Sequence, residues 1–259
     1  MDTWRILPLE TSNGYWNMAL DESILDHAIR KLVPNTLRFY KWKPSTASIG
    51  RNQSLQDEID INFAKEKGYN VVRRITGGGA VFHDETRELT YSIVCPIKKL
   101  EDLGATKVID QFEIITQGII FGLMNYGLEP EKDIIHCPAI LLDGKKFSGN
   151  AQVRRKGFIL QHGTILLDID PELMYSVLKA PENVEKSRMV GSVRAKCIGI
   201  RNQIDNYNEL KLIESLKKGF QKALRIKLEE GIITHEENVL AENLAREKYS
   251  NKKWLEKYE

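Results

Sequence analysis

Between residues 139 and 170 short apolar runs (AILL, FIL and TILLDI) alternate with Gly144, Gly149, Gly157 and Gly163. Runs this short cannot bury a helical stripe, and glycines at this spacing supply turns, so the pattern predicts three antiparallel strands in a meander. Similar strand-like runs occur at 4–7, 37–42 (LRFYKW), 45–50 (STASIG), 69–75 and 88–96. Helical spacing of apolar residues occupies 18–30, 61–67, 173–178, 208–224 and the strongly charged 236–249. The clearest helix runs over 106–126 and stops at Gly127. Strands and helices do not follow a regular βαβα order, which excludes a doubly wound fold. An α+β domain with a mixed, largely antiparallel sheet flanked by helices is expected instead.

The chain has 259 residues, of which 42% are hydrophobic, enough for one domain over 1–259 with a helical C-terminal segment from about 205 packed on it. The charged stretch 181–188 is expected to be a mobile connector. Thirty-eight Lys and Arg against 36 Asp and Glu leave a net charge of +2, without the basic excess of a nucleic-acid binder. Cys95, Cys137 and Cys197 are odd in number and widely spaced, so they suggest neither a disulfide framework nor a zinc site. No apolar run approaches the ~18 residues of a membrane span, and the N-terminus lacks the apolar core of a signal peptide. A cytoplasmic protein without membrane or nucleic-acid partners is therefore expected.

Two clusters carry candidate chemistry. In RRITGGGAVFHD (73–84), Gly77, Gly78 and Gly79 let the backbone turn its N–H groups toward a ligand, and Arg73 and Arg74 add positive charge, as an anion cradle requires. A glycine-rich hairpin turn explains the same residues equally well. In DGKKFSGNAQ (143–152) and QHGT (161–164), Lys146 is placed to reach across a ligand held at the glycine loop, although a solvated turn lysine is the commoner case. His162 is either a base or a partly buried structural histidine.

These motifs, in this order, resemble the lipoate-protein ligase and octanoyltransferase family, related in fold to biotin-protein ligases and class II synthetases. NMALDE, SIGRNQ and the terminal LAREKYSNKKW extend the likeness over most of the chain. The resemblance implies that lipoate or octanoate is activated with ATP and Mg²⁺ to an acyl-adenylate, then passed to one lysine of a lipoyl carrier domain. The carrier would be a 2-oxoacid dehydrogenase E2 or a glycine-cleavage H protein. Lys146 would be catalytic. The acyl-adenylate would be held by Arg74, Gly77, Gly78, Gly79, Ala80, Val81, Phe82 and His83, together with Ser148, Gly149, Asn150, Ala151, His162, Gly163 and Thr164. No protein ligand for the magnesium is identified.

Two departures from the ligase pattern carry the alternative. Where ligases have an Asn-Asp pair ahead of the Gly-Lys-Lys strand, this chain reads His136-Cys137-Pro138-Ala139. A related branch transfers octanoyl from acyl carrier protein through a cysteine thioester without ATP, and Cys137 is the candidate nucleophile, at a shorter spacing to Lys146 than that branch shows. A small buried residue before Pro138 is the alternative reading. Gly77-Gly78-Gly79-Ala80 and SIGRNQ have the ligase form, so the ATP-dependent catalytic subunit is the leading expectation. The accessory C-terminal domain of one-chain ligases is expected to be absent, so that either a separate small accessory subunit completes the activating enzyme as a partner or no adenylation occurs. Trp16, Trp42 and Trp254 are expected to be packing residues.

Overall fold

The computed structural model describes residues 2–132 and 139–259. Strand β1 (Asp2–Ile6) and the short β2 (Glu10–Ser12) lead into helix α1 (Gly14–Ile29), whose first turn is capped by the Asn13 side chain accepting from the Trp16 amide. β3 (Thr36–Trp42) returns through the centre of the fold, and β4 (Thr46–Ile49) leaves it for a separate small sheet. After α2 (Leu55–Glu58) and α3 (Ile61–Glu66) come β5 (Asn70–Arg73) and β6 (Val81–His83), which pair with β4 in parallel and antiparallel sense. The glycine triplet is the loop between β5 and β6. It opens no helix.

β7 (Glu88–Pro96) rejoins β3, and α4 (Ile97–Glu101) connects it to the long α5 (Val108–Tyr126), which Gly127 ends in a left-handed conformation at φ 102°. β8 (Glu131–Lys132), β9 (Ile140–Leu142) and β10 (Lys145–Ser148) form a second small antiparallel sheet. β11 (Asn150–Arg155) and β12 (Phe158–Leu166) belong to the main sheet. The expected single meander is thus divided between two sheets at Gly149. Its three strands are four, because β10 and β11 lie on either side of that glycine. Next follow α6 (Pro171–Val177), α7 (Lys186–Lys196) and α8 (Glu209–Leu224), where α7 occupies part of the stretch expected to be a connector. β13 (Ile226–Glu230) is a strand inside the segment expected to be helical, and it pairs in parallel with β1. The chain closes with α9 (His235–Leu244) and α10 (Lys252–Leu255).

The main sheet runs β11-β12-β7-β3-β1-β13, with β2 continuing the β1 side of β3. It is mixed, as the sequence implied: pairings on the β1 side are parallel, and those from β3 through β7 and β12 to β11 are antiparallel. Period-two alternation sends Leu37, Phe39, Leu89, Tyr91, Ile93, Ile159 and Ile165 to one face, under α5 and α8. Those two helices approach closely because Gly118, Gly122 and Gly219 have no side chains at the crossing, where a Cβ on Gly219 would overlap the Gly118 carbonyl.

The opposite face of the same strands meets α1. There Tyr40, Trp42, Val94 and Leu160 pack with Met18, Leu20, Ile24 and Leu25, and α9 covers α1 from outside. α1 is consequently buried almost all round, not amphipathic as its spacing suggested. Its buried Glu22 accepts from the Tyr249 hydroxyl (2.6 Å), the Lys248 ammonium and Arg155, which secures the C-terminal helices. No helix among the described residues is long and apolar enough to cross a membrane.

Candidate active site

The polar residues of this α1-facing surface are where the site begins. Asp21 on α1 is 1% exposed and accepts from Arg38 (3.0 Å), the Ser92 hydroxyl (2.7 Å) and the Tyr40 hydroxyl (3.1 Å). It also faces His162 Nδ1 at 3.1 Å, while His162 Nε2 lies 2.8 Å from the Thr76 hydroxyl at the base of the glycine loop. Burial holds the His162 pKa below its usual value despite Asp21, so a neutral imidazole donates from Nδ1 to Asp21 and accepts from Thr76. Burial alone would raise the Asp21 pKa. Its hydrogen bonds and the nearby Arg38 outweigh that and keep it below the normal carboxylate range.

A second chain of hydrogen bonds fixes the neighbouring wall. The Trp42 indole donates to Thr90 (2.8 Å), Thr90 donates to Glu88 (2.6 Å), and Glu88 meets His83 Nδ1 at 2.7 Å. His83 Nε2 then contacts Ser48 Oγ at 2.8 Å, and the His83 ring stacks on Trp42 with centroids 4.0 Å apart. Interlocking of this kind makes a rigid wall, since no single side chain can move without orphaning a buried partner.

Arg74 organises the glycine loop. Its guanidinium donates to the Gly77 carbonyl (2.8 Å), the Gly79 carbonyl (2.7 Å) and both the carbonyl (3.2 Å) and hydroxyl (3.0 Å) of Ser48. Its burial without an acidic partner lowers the pKa to about 10, which still leaves it cationic at neutral pH. Gly78 at φ 92° supplies the backbone reversal. The adjacent Arg73 is fully buried and braces the loop from behind, donating to the Arg51 carbonyl (3.1 Å) and to those of Trp254 (3.1 Å) and Leu255 (2.6 Å).

Lys146 reaches the site from the second sheet. Asp143 and Gly144, at φ 51° and 69°, make the tight β9–β10 turn, and a register shift between Lys146 and Ser148 precedes the crossing at Gly149 into β11. A Cβ on Gly149 would lie 3.5 Å from Lys146 Nζ, so the ammonium lies close over that glycine. Gly163 faces it across the strand pair and is confined: a side chain there would collide with Asn150 Oδ1 and with the Tyr91 ring (2.7 Å). Tyr91 donates to that same Asn150 oxygen at 2.6 Å.

Together these elements enclose a cavity of about 240 Å³. Arg74, Gly78, Gly79, Ala80, Val81 and His83 line it on one side, and Lys146, Gly149, Asn150, Ala151, His162, Gly163 and Thr164 on the other. Three expected residues lie elsewhere. Gly77 faces a separate groove with Arg51 and Gln152, on the outer side of the loop. Phe82 alternates away from Val81 and His83 and packs on Tyr69 at 5.3 Å. Ser148 is 1% exposed with its hydroxyl unpartnered, outside the cavity lining. Cys137 lies outside the described residues.

Met18, Tyr40, Trp42, Ser48 and Thr90 also line the cavity, and the sequence reading missed them. Trp42 in particular is a wall of the cavity and not only a packing residue. Alternation along β3 and β7 placed Tyr40, Trp42 and Thr90 on one sheet face, but it did not distinguish a face that packs from a face that lines a hole. At about 240 Å³ the space is smaller than the ~300–1,000 Å³ of drug-sized pockets and suits one slender chain with its headgroup. The lining offers cations to an anion and, among the described residues, no carboxylate; nor does any group of three His, Cys, Asp or Glu converge to hold a metal ion. Among the described residues the expected magnesium thus has no ligand set there.

Comparison with known proteins places this geometry. The family described as the lipoyl protein ligase A/B catalytic domain matches residues 13–221. An octanoyltransferase LipM from Brevibacillus brevis is 37% identical, with 98% of this chain and 99% of that protein aligned. The octanoyltransferase LipM of Bacillus subtilis is 32% identical over 98% of both. Among solved structures, the bipartite lipoate protein ligase of Thermoplasma acidophilum superposes with a TM-score of 0.87 at 27% identity, covering 100% of this chain and 98% of that one. A lipoate-protein ligase A bound with ATP gives 0.83 at 28% identity over the full length of both.

These relatives correct the leading expectation of an ATP-dependent ligase. The higher sequence identity is to octanoyltransferases, whereas the ligases share the fold. The glycine loop and SIGRNQ, read as ligase features, shape a cavity wall that either chemistry can use, so they did not discriminate.

Proposed function

The chain belongs to the lipoyl protein ligase A/B catalytic-domain family, and we propose that within it this protein is an octanoyltransferase. It moves an octanoyl group from an acyl carrier protein to a lysine of a lipoyl carrier domain, through an enzyme thioester and without ATP. The observation that carries this reading is the near end-to-end likeness to proteins named octanoyltransferase. The cavity is consistent with it, having an apolar floor at Met18 and Trp42 and a cation, Lys146, on its rim.

In this mechanism a cysteine thiolate attacks the thioester carbonyl of the donor. A new C–S bond forms, the donor's C–S bond breaks, and the released thiolate takes a proton. The amine of the acceptor lysine, having lost its ammonium proton, then attacks the enzyme thioester; the enzyme's C–S bond breaks, a second N–H proton leaves to solvent, and an amide and the enzyme thiolate result, so that this proton balances the one taken by the donor's thiol. In both steps negative charge develops on the carbonyl oxygen, and the Lys146 ammonium is the group that stabilises it.

Of the three cysteines, Cys95 is buried in the core and burial drives its thiol far above the normal pKa, the wrong direction for a nucleophile. Cys197 is half-buried, and desolvation raises its pKa too, against a smaller opposing effect of Lys146. Cys137, beside His136 in the sequence, is the proposed nucleophile. Free thiol chemistry of this kind suits a reducing cytoplasm.

The test is intact-protein mass spectrometry after incubation with octanoyl-loaded acyl carrier protein. One octanoyl adduct, labile to hydroxylamine, present in Cys197→Ser and lost in Cys137→Ser, supports the proposal. An adduct that survives in Cys137→Ser removes Cys137 from the role, and no adduct on any variant overturns the thioester route.

A further inference from the structure

α7 adjoins the strand that carries Lys146. At its C-terminal end Cys197 bridges Lys146 in parallel, and the Ile198 amide donates to the Lys146 carbonyl at 3.0 Å. Any molecule delivering an acyl group to the rim of the cavity at Lys146 therefore passes close to this helix.

The charge of α7 is one-sided. Lys186, Arg188, Arg194 and Lys196 lie within it, Arg201 follows, and no Asp or Glu occurs between 186 and 201. The whole chain, by contrast, carries a net charge of only +2. Arg194 and Lys196 occupy the last turn, where the helix dipole favours cations, so folding accounts for them. Lys186 and Arg188 occupy the first turn, where the dipole opposes them, and no acidic residue lies in that turn. Local helix stability does not select that placement.

Two of the four cations are committed to α6: Lys186 donates to the Ser176 hydroxyl at 3.0 Å, and Arg194 pairs with Glu172 at 3.3 Å. Arg188 and Lys196 are exposed, and their side chains make no hydrogen bond or ion pair among the described residues. Glu185 at the N-cap accepts from Ser187. In the adjoining β9–β10 turn Asp143 and Lys145 offset one another, leaving Lys146 as the excess charge on that side. Arg188 and Lys196 on α7 and the exposed Lys146 on the adjoining strand thus make up a cationic strip, in which Lys146 and Lys196 both lie close enough to Cys197 to act on its thiol.

We propose that α7 is the docking surface for the acyl donor, a carrier protein with an acidic face that holds octanoyl on a phosphodiester-linked thiol arm. The proposal rests on the octanoyl-transfer reading and names the partner of its first step. Charge decides between the two carriers. The donor arrives with a phosphodiester and an acidic face, both attracted to the strip, whereas the acceptor presents a lysine ammonium that the strip repels and that must lose its proton before it reacts.

The test uses the full chain, with octanoyl-loaded acyl carrier protein as the probe and the octanoyl thioester of N-acetylcysteamine as a donor lacking the carrier. In the double variant Arg188→Glu, Lys196→Glu, the dissociation constant and KM for the carrier donor should rise roughly tenfold or more, the scale at which charge reversal acts on steered complexes. KM for the small thioester and kcat should stay unchanged, and added salt should weaken carrier binding to the wild type more than to the variant. The charge-preserving variant Arg188→Lys, Lys196→Arg should bind as wild type, which separates docking from any loss of fold.

Unchanged carrier binding in the charge-reversed variant would overturn the proposal, as would a rise in KM for the lipoyl acceptor domain with none for the donor. If neither thioester acylates the wild-type enzyme, the transfer reading falls. The binding titration still decides whether α7 docks the carrier.

Discussion

Gly50 and Gly78 touch backbone to backbone: a Cβ on Gly50 would overlap the Gly78 carbonyl oxygen. The turn after β4 and the glycine loop therefore share one close contact that only glycine permits. Gly50→Ala should displace the loop, lower acyl transfer at least tenfold and destabilise the fold by about 1–3 kcal/mol, the usual range for overpacking. Activity assays with thermal unfolding check both effects. Gly68→Ala is a suitable control for turn strain, because its Cβ would meet nothing within 4 Å and its cost comes only from φ 69°.

The Lys146 side chain is exposed and makes no hydrogen bond or ion pair among the described residues, so its replacement should separate chemistry from stability. Lys146→Ala is expected to cut transfer by about two orders of magnitude through loss of oxyanion stabilisation, with Tm nearly unchanged. Lys146→Arg should recover only part of the rate, since a planar guanidinium does not reproduce a compact ammonium. Single-turnover transfer from a preformed acyl-enzyme measures this directly.

His162 and Asp21 give the fold a defined acid sensitivity. Both have folded-state pKa values below their unfolded values, so over the corresponding pH range the unfolded chain binds more protons and stability rises with pH. For His162 the contribution is complete above the unfolded value of about 6.5 and is lost as pH falls toward its lower folded value. Asp21 adds a further loss below about 3.9, as pH falls toward its own depressed value. Urea unfolding at pH 7.5 and 5.5 should show the wild type weaker at the lower pH, with the difference reduced in His162→Gln.

Met18 is an apolar part of the cavity lining. Tyr40 and Trp42 are tied by hydrogen bonds to Asp21 and Thr90, whereas Met18, 3% exposed, is held only by packing. Met18→Ala should lengthen the space and shift donor preference from octanoyl toward decanoyl, at a stability cost of about 2–5 kcal/mol. Competition between octanoyl and decanoyl donors reads the shift as a ratio of kcat/KM values.

Much of this architecture was legible in the sequence wherever local pattern and tertiary role agree. The apolar stripe ending at Gly127 gave α5, and three spaced motifs gave two walls of one cavity. The failures share a physical cause. The segment 139–170 has uniform strand chemistry, and nothing local shows that Gly149 hands the chain from one sheet to another. β13 lies in a charged stretch because it is an edge strand, with its partner β1 more than two hundred residues away. Trp42 reads as a packing residue because a residue facing a cavity and a residue facing a helix have the same periodicity. The motifs that suggested a ligase shape a binding wall, while the choice of acyl donor depends on the nucleophile and the docking partner.

The most direct test of the central claim is the time course of lipoyl-domain octanoylation in nucleotide-free buffer with octanoyl-loaded acyl carrier protein as the sole donor. Stoichiometric amide formation on the acceptor lysine is expected, at a rate that added ATP and magnesium leave unchanged. Acylation that requires ATP, proceeds from free octanoate and releases pyrophosphate, with none from the carrier donor, would contradict it.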